Sequence, residues 1–101
     1  MIKVIIERHI KEGQDVSPLL REIRAAAMMH YPGFVSGKTL VNMEDSSIIL
    51  VICNWEKVED WERWAMSDTR AKLYQKIKPY LVEKSKVRKF KIMATEHEAA
   101  T

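Results

Sequence analysis

The chain has one cysteine, and that alone excludes an internal disulfide and a multi-thiolate metal site. Cys53 lies in an apolar run, where a thiol reads as a small buried hydrophobe. There are only three glycines, none arranged as a phosphate-cradling loop or a dinucleotide fingerprint. A Gly-x-Ser-x-Gly nucleophile elbow is also missing. His9, His30 and His97 do not share an element at metal-ligand spacing. No apolar run approaches the ~20 residues that span a bilayer. The opening MIKVIIERHI is too short and too charged for a signal peptide, so the expectation is a cytoplasmic protein. Repeats of ~20–50 residues and low-complexity linkers are absent too.

What remains is one domain of ordinary globular composition, 101 residues with 47% hydrophobic content. Residues 1–95 read as the domain and 96–101 as a mobile tail without apolar periodicity. A domain this small hides a modest share of its surface, so self-association is a natural way to bury more. The net charge of +3 is unevenly placed. Arg70–Lys91 holds nine basic residues and one acid, whereas Glu56–Asp68 holds five acids and two bases. Lysines on the wet face of an edge strand discourage aggregation, and that explains the basic run without a nucleic-acid partner. The aromatic, glycine-punctuated strand of RNA-binding sheets is missing as well.

The periodicities predict strands over 2–8, 34–43, 48–54 and 87–93. Ile2, Val4 and Ile6 share one face of the first strand. Val16, Leu19, Leu20, Ile23, Ala26 and Ala27 mark a helix capped at Asp15 or Ser17 and stopped by Tyr31-Pro32-Gly33. Gly37 suggests a bulge or a close backbone approach. Ile48 to Asn54 is apolar on both faces, as in a central strand covered on both sides. Val58, Trp61 and Trp64 or Ala65 form a second helix face. Ser67 caps a further helix that runs to Pro79, and residues 80–82 are ambiguous.

The order is β-α-β-β-α-β with the second helix broken, a ferredoxin-like α+β arrangement. Two helices cover only one face of a four-stranded antiparallel sheet. The other face carries apolar residues of the third strand, and an exposed apolar sheet marks a partner surface. The expected partner is a second copy, a homodimer packed through its sheet faces.

Three stretches carry a family likeness. They are the corner Tyr31-Pro32-Gly33-Phe34, the strand end Val51-Ile52-Cys53-Asn54-Trp55, and the helix with its cap, Asp60-Trp61-Glu62-Arg63-Trp64-Ala65-Met66-Ser67-Asp68. With the element order, they resemble the antibiotic biosynthesis monooxygenase (ABM) family of dimeric α/β-barrel proteins. The resemblance runs from Ile2 to about Met93. It implies a pocket in each subunit between the helices and the covered sheet face. Some members of that family oxidise polycyclic phenols or quinols with molecular oxygen and no cofactor, some degrade heme, and some have no known activity. The heme-degrading pattern has an Asn late in strand one, a Trp before Ser-Asp, and an iron-binding His ten residues after the Trp. Trp64 and Ser67-Asp68 match it, but Tyr74 stands at the His position and Glu7-Arg8 at the Asn position. A tyrosine ligates ferric heme in some proteins, so heme remains an alternative.

The candidate site follows. The resemblance makes Trp64 the pocket wall that presses on a polycyclic ring; as a residue at core spacing it is equally a packing residue. Trp55 and Trp61 read as packing. Asn54 is a hydrogen-bonding partner for a substrate hydroxyl or carbonyl, or simply a turn residue. Arg8 is a binder of an oxyanion, or a solvated strand end. Tyr74 and His30 are the candidates for proton handling; otherwise Tyr74 is a core tyrosine and His30 a favourable charge at a helix C-terminus. The expectation is a small monooxygenase that needs no cofactor, acting on an aromatic, phenolic or quinol-type molecule. The alternatives are a heme-binding or heme-degrading enzyme and a non-catalytic ligand-binding dimer.

Overall fold

The computed structural model describes residues 1–94. His97 and the tail assigned to 96–101 lie outside the described residues. Strand β1 (Ile2–His9) leads through a Gly13 turn to helix α1 (Ser17–His30), then to β2 (Phe34–Val41) and β3 (Ile48–Trp55). Two short helices follow, α2 (Val58–Ala65) and α3 (Asp68–Ile77), then a single 3-10 turn over Lys78–Tyr80 and β4 (Lys86–Lys91). The sheet is antiparallel, in the order β2-β3-β1-β4. This is the ferredoxin-like α+β fold expected from the sequence.

Local chemistry explains the joints. Ser67 Oγ accepts the Arg70 amide at 3.1 Å, the expected cap, and separates α2 from α3. At α1 the cap differs from expectation: Val16 occupies the capping position, and Asp15 Oδ1 accepts the Ser17 amide from just outside the helix. The ambiguous residues resolve into the 3-10 turn and a bridge between Leu81 and Ile10. The β2 bulge falls between Phe34 and Ser36, earlier than Gly37. Nor does Gly37 mark a close backbone approach, since a Cβ there would meet only ordinary contacts, 3.4 Å from the Phe34 ring and 3.6 Å from the Ile52 carbonyl.

Gly33 is required at the α1–β2 corner. Its φ is +97°, and a Cβ would stand 2.3 Å from the Asp60 carboxyl carbon. Its carbonyl accepts the Glu56 amide at 2.8 Å and ties this corner to the end of β3. Gly33→Ala is expected to cost about 1–3 kcal/mol, combining backbone strain with the clash. A urea unfolding midpoint within error of the parent would contradict this account of the corner.

Strand register decides the faces. Val4, Ile6 and Arg8 of β1 stand opposite Cys53, Val51 and Ile49 of β3, and these pair with Gly37, Thr39 and Val41 of β2. This is the covered face. Val4, Ile6, Cys53 and Trp55 form one core with Ala27 of α1, Trp61 and Trp64 of α2, and Leu73 of α3. Ile10, Val16, Leu20, Ile77 and Leu81 form a second cluster at the other end. Trp55 is fully buried, edge-on to Phe34 at 5.3 Å and to Trp61 at 6.0 Å.

The opposite face carries Ile5, Leu50, Ile52 and Leu40, with no helix packed on it by either core cluster. Glu7 on this face meets Arg88 at 3.7 Å and Lys86 at 3.9 Å, which takes up part of the basic run. The molecule is 19 Å thick, as expected for one sheet and one helix layer. Its radius of gyration, 14.6 Å, exceeds the about 13 Å of a compact chain this long.

Candidate functional site

Between the helices and the covered face lies a small cavity of about 40 Å3. Its walls are apolar and aromatic: Ile6, Val51 and Cys53 from the sheet, and Phe34, Trp55, Trp61 and Trp64 at one end. Trp64 comes from α2, where a spacing of three residues turns it and Trp61 to the same side. It is 3% exposed and edge-on to Tyr31 at 4.9 Å. Trp64 both packs in the core and lines the cavity. Trp55 and Trp61 share this double duty.

The polar part of the wall is cationic. Arg8 and Arg24 line the cavity, and no carboxylate or histidine does. Arg8 is the one buried charged residue among those described, 3% exposed, and its Nε has no hydrogen-bond partner. Burial, reinforced by the nearby Arg70 charge, lowers its pKa to about 10. Arg70 of α3 stacks over Trp61 at 5.3 Å from the ring centroid, and burial lowers its pKa as well. Among the described residues no salt bridge reaches Arg8, Arg24 or Arg70. Arg24 donates instead to Thr39 Oγ1, joining α1 to β2 along the cavity edge. Burial pushes the Cys53 thiol up, and its sulfur lies 3.6 Å from the Val4 carbonyl, so it is no ready nucleophile.

The structure separates the five residues proposed from the sequence. Trp64 and Arg8 line the cavity. Asn54 does not. Register places it opposite Lys3 and Ser36 on the open face, where its amide donates to Ser36 Oγ at 2.9 Å. Alternation along β3 turns Cys53 and Trp55 inward and Asn54 outward. Tyr74 is also outside the cavity wall. It is half-buried against the Ile10–Leu81 cluster, though within electrostatic reach of Arg8. His30 ends α1 in an exposed position away from the cavity. Neither candidate for proton handling lines this cavity.

Tyr74, at the iron-ligand position of the heme-degrading pattern, packs against the Ile10–Leu81 cluster and offers no iron ligand to this cavity. Among the described residues no three His, Cys, Asp or Glu side chains cluster to hold a metal ion. No helix among them is long and apolar enough to cross a membrane.

Neither a family model nor a curated protein sequence matches the chain. Solved structures do. SnoaB, a cofactor-independent oxygenase from Streptomyces nogalater, superposes with a TM-score of 0.82 at 15% identity, over 96% of this chain and 97% of its own. A protein described as an antibiotic biosynthesis monooxygenase gives 0.80 at 20% identity, over 93% of this chain and all of its own. A conserved protein from Methanosarcina mazei Go1 gives 0.77 at 13% identity, over 88% and 89%. At such identities the likeness is one of architecture, and architecture alone does not assign an activity. The chain has the ferredoxin-like fold of the ABM proteins, as its element order and the stretches 31–34 and 51–68 lead one to expect.

Proposed function

We propose that this chain is a small oxygenase that needs no cofactor and oxidises an aromatic phenol, quinol or anthrone-type molecule between the helices and the covered face of its sheet. One observation carries this reading: a small aromatic cavity with a buried arginine in its wall whose Nε has no hydrogen-bond partner. The cofactor-independent oxygenase SnoaB has the same architecture, which supports it.

An electron-rich phenol or enol supplies the electrons itself once it is deprotonated. Arg8 contributes by stabilising the resulting oxyanion in a dry site, where a fixed charge acts more strongly than in water. No lining residue is a base at neutral pH, so the proton leaves to solvent. For an anthrone, the enolate passes one electron to molecular oxygen, and the radical pair joins into a peroxide. The peroxide takes up a proton and then loses water. One oxygen atom becomes the new ring carbonyl and the other leaves as water.

The cavity volume of about 40 Å3 holds only two to four waters at ~10–15 Å3 each, so a polycyclic ligand enters by displacing wall side chains. The Arg24–Thr39 hydrogen bond, at the cavity edge between α1 and β2, is the contact such an opening would break. The small volume and the lack of a base also favour a second reading, a non-catalytic ligand-binding dimer. Oxygen uptake by the chelator-treated protein with anthrone separates the two. Uptake several-fold above the protein-free blank supports the oxygenase; binding without uptake supports the binding dimer.

Self-association belongs to the same proposal. Two copies packed through their open faces would cover Ile5, Leu50, Ile52 and Leu40. Leu50→Lys places a charge at the centre of that face and is expected to turn a dimer into a monomer, as measured by sedimentation. A parent protein that sediments as a monomer at micromolar concentration contradicts it.

A further inference from the structure

A guanidinium left without a carboxylate in a protein interior is costly unless something else neutralises it. Arg8 is in that position. The residue is 3% exposed, and its Nε–H has no acceptor. The surroundings deepen the imbalance. Arg24 shares the cavity wall and Arg70 lies close enough to depress the ionisation of Arg8, while the wall contains no acid. A second buried donor in the same wall, Trp55 Nε1, has the Cys53 sulfur as its one acceptor. Among the wall's side chains the Arg8 Nε–H is therefore unsatisfied and the net charge is positive. The complement to such a wall is an acceptor-only group with negative charge.

Building on the functional reading above, we infer that the ligand is an aromatic anion whose negatively charged oxygen, carboxylate or ionised phenol, pairs with the Arg8 guanidinium while its ring lies among Trp55, Trp61 and Trp64. Arginine suits this task because its planar fork matches an oxyanion and keeps its proton at any physiological pH. The pairing also accounts for why a residue this costly stands on the covered face of β1, where its neighbours at alternate positions are Val4, Ile6 and Ile10.

Quenching of tryptophan fluorescence by anthracene-2-carboxylate and by the neutral anthracene-2-carboxamide tests this in the full chain. The carboxylate should bind about 10-fold tighter or more, the worth of one hydrogen bond to a charged group. Arg8→Met should bring the two ligands within about 2-fold, with the carboxamide affinity unchanged. A phenolic probe, 2-hydroxyanthracene, distinguishes the source of charge: tightening as pH rises through its own ionisation shows that an ionised phenol is accepted, and constant affinity shows that a fixed carboxylate is required. Equal binding of carboxylate and carboxamide to the parent overturns the inference and leaves the oxygenase reading standing if anthrone-dependent oxygen uptake persists. A carboxylate preference that survives in Arg8→Met also overturns it. Absence of any quenching by the three probes removes the cavity as a ligand site, and the inference with it. Thermal unfolding of Arg8→Met checks that the variant is folded, and Arg8→Lys, which keeps the charge, should retain part of the preference.

Discussion

Trp64→Ala is expected to abolish ligand-dependent oxygen uptake and to destabilise the fold by about 3–5 kcal/mol, the range for truncating a buried tryptophan. Trp64 is 3% exposed, packs in the core with Val4, Cys53 and Trp61, and touches Tyr31 edge-on. Domains of this size are stable by only about 5–15 kcal/mol in total, so the alanine variant sits near the threshold of folding. Trp64→Phe separates the two roles. It keeps a ring in the core and should lose about 1–3 kcal/mol in urea unfolding, while oxygen uptake falls at least about 10-fold because the indole no longer spans the ligand. The control is Asn54→Ala. Asn54 lies on the other face with Ser36 as its partner, so uptake should stay within about 2-fold of the parent. If Asn54→Ala abolishes uptake while Trp64→Phe leaves it intact, the site lies on the wrong side of the sheet in this account.

Arg8→Met is expected to do the reverse to stability. Removing an unpartnered buried charge and filling its space with an unbranched apolar side chain should stabilise the fold by about 1–2 kcal/mol. That corresponds to a rise in Tm of about 5–10 °C for a domain of this length. The pH dependence follows from the direction of the shift. The folded-state pKa of Arg8 lies near 10, below that of a solvated guanidinium in the unfolded chain. Below pH 10 the group carries its proton in both states, so its burial penalty is fully present. Only above about pH 10 does the unfolded chain hold the extra proton, so there the penalty is relieved as pH rises. The gain from Arg8→Met should therefore be constant from pH 5 to 9. A lower Tm for Arg8→Met would mean that Arg8 has a structural partner, and a gain that varies across that range would mean that a titrating acid or histidine is that partner. A gain of this size would mark Arg8 as a group in which stability is traded for binding.

The elements were legible because their periods are plain. The two-residue alternation of Ile2, Val4 and Ile6 and the three- and four-residue spacing of Leu20, Ile23 and Ala27 each specify one element type. The division of the sheet into a covered and an open face was harder. β3 is apolar on both sides, and hydrophobicity alone cannot say whether Ile52 and Asn54 or Cys53 and Trp55 turn inward. The neighbouring strand held the answer. Arg8 continues the inward series Val4, Ile6, and pairing turns Cys53 and Trp55 to that same side, which sends Asn54 outward. For Arg8 the sequence leaves open an oxyanion binder or a solvated strand end, because a charge at a strand terminus is usually exposed; the bridge between Ile10 and Leu81 extends the pairing past β1, and Arg8 is buried. Tyr74 was misplaced for a different reason. Its distance from Trp64 crosses the Ser67 break, and the angle between α2 and α3 is a tertiary quantity with no sequence period. The cationic partners Arg24 and Arg70 went unnoticed because arginine on an exposed-looking helix carries no local signal of burial.

The placement of the ligand is tested most directly by the indole N–H signals of the protein in nitrogen-15 NMR. There are three, one from each tryptophan, and all three rings line the same cavity. On titration with anthracene-2-carboxylate all three should shift together with the Arg8 Nε–H signal, saturating at one ligand per chain, while the backbone amides of Ile5, Leu50 and Ile52 on the open face stay in place. Shifts confined to the open-face amides, with the indole signals unmoved, would contradict a ligand site between the helices and the sheet.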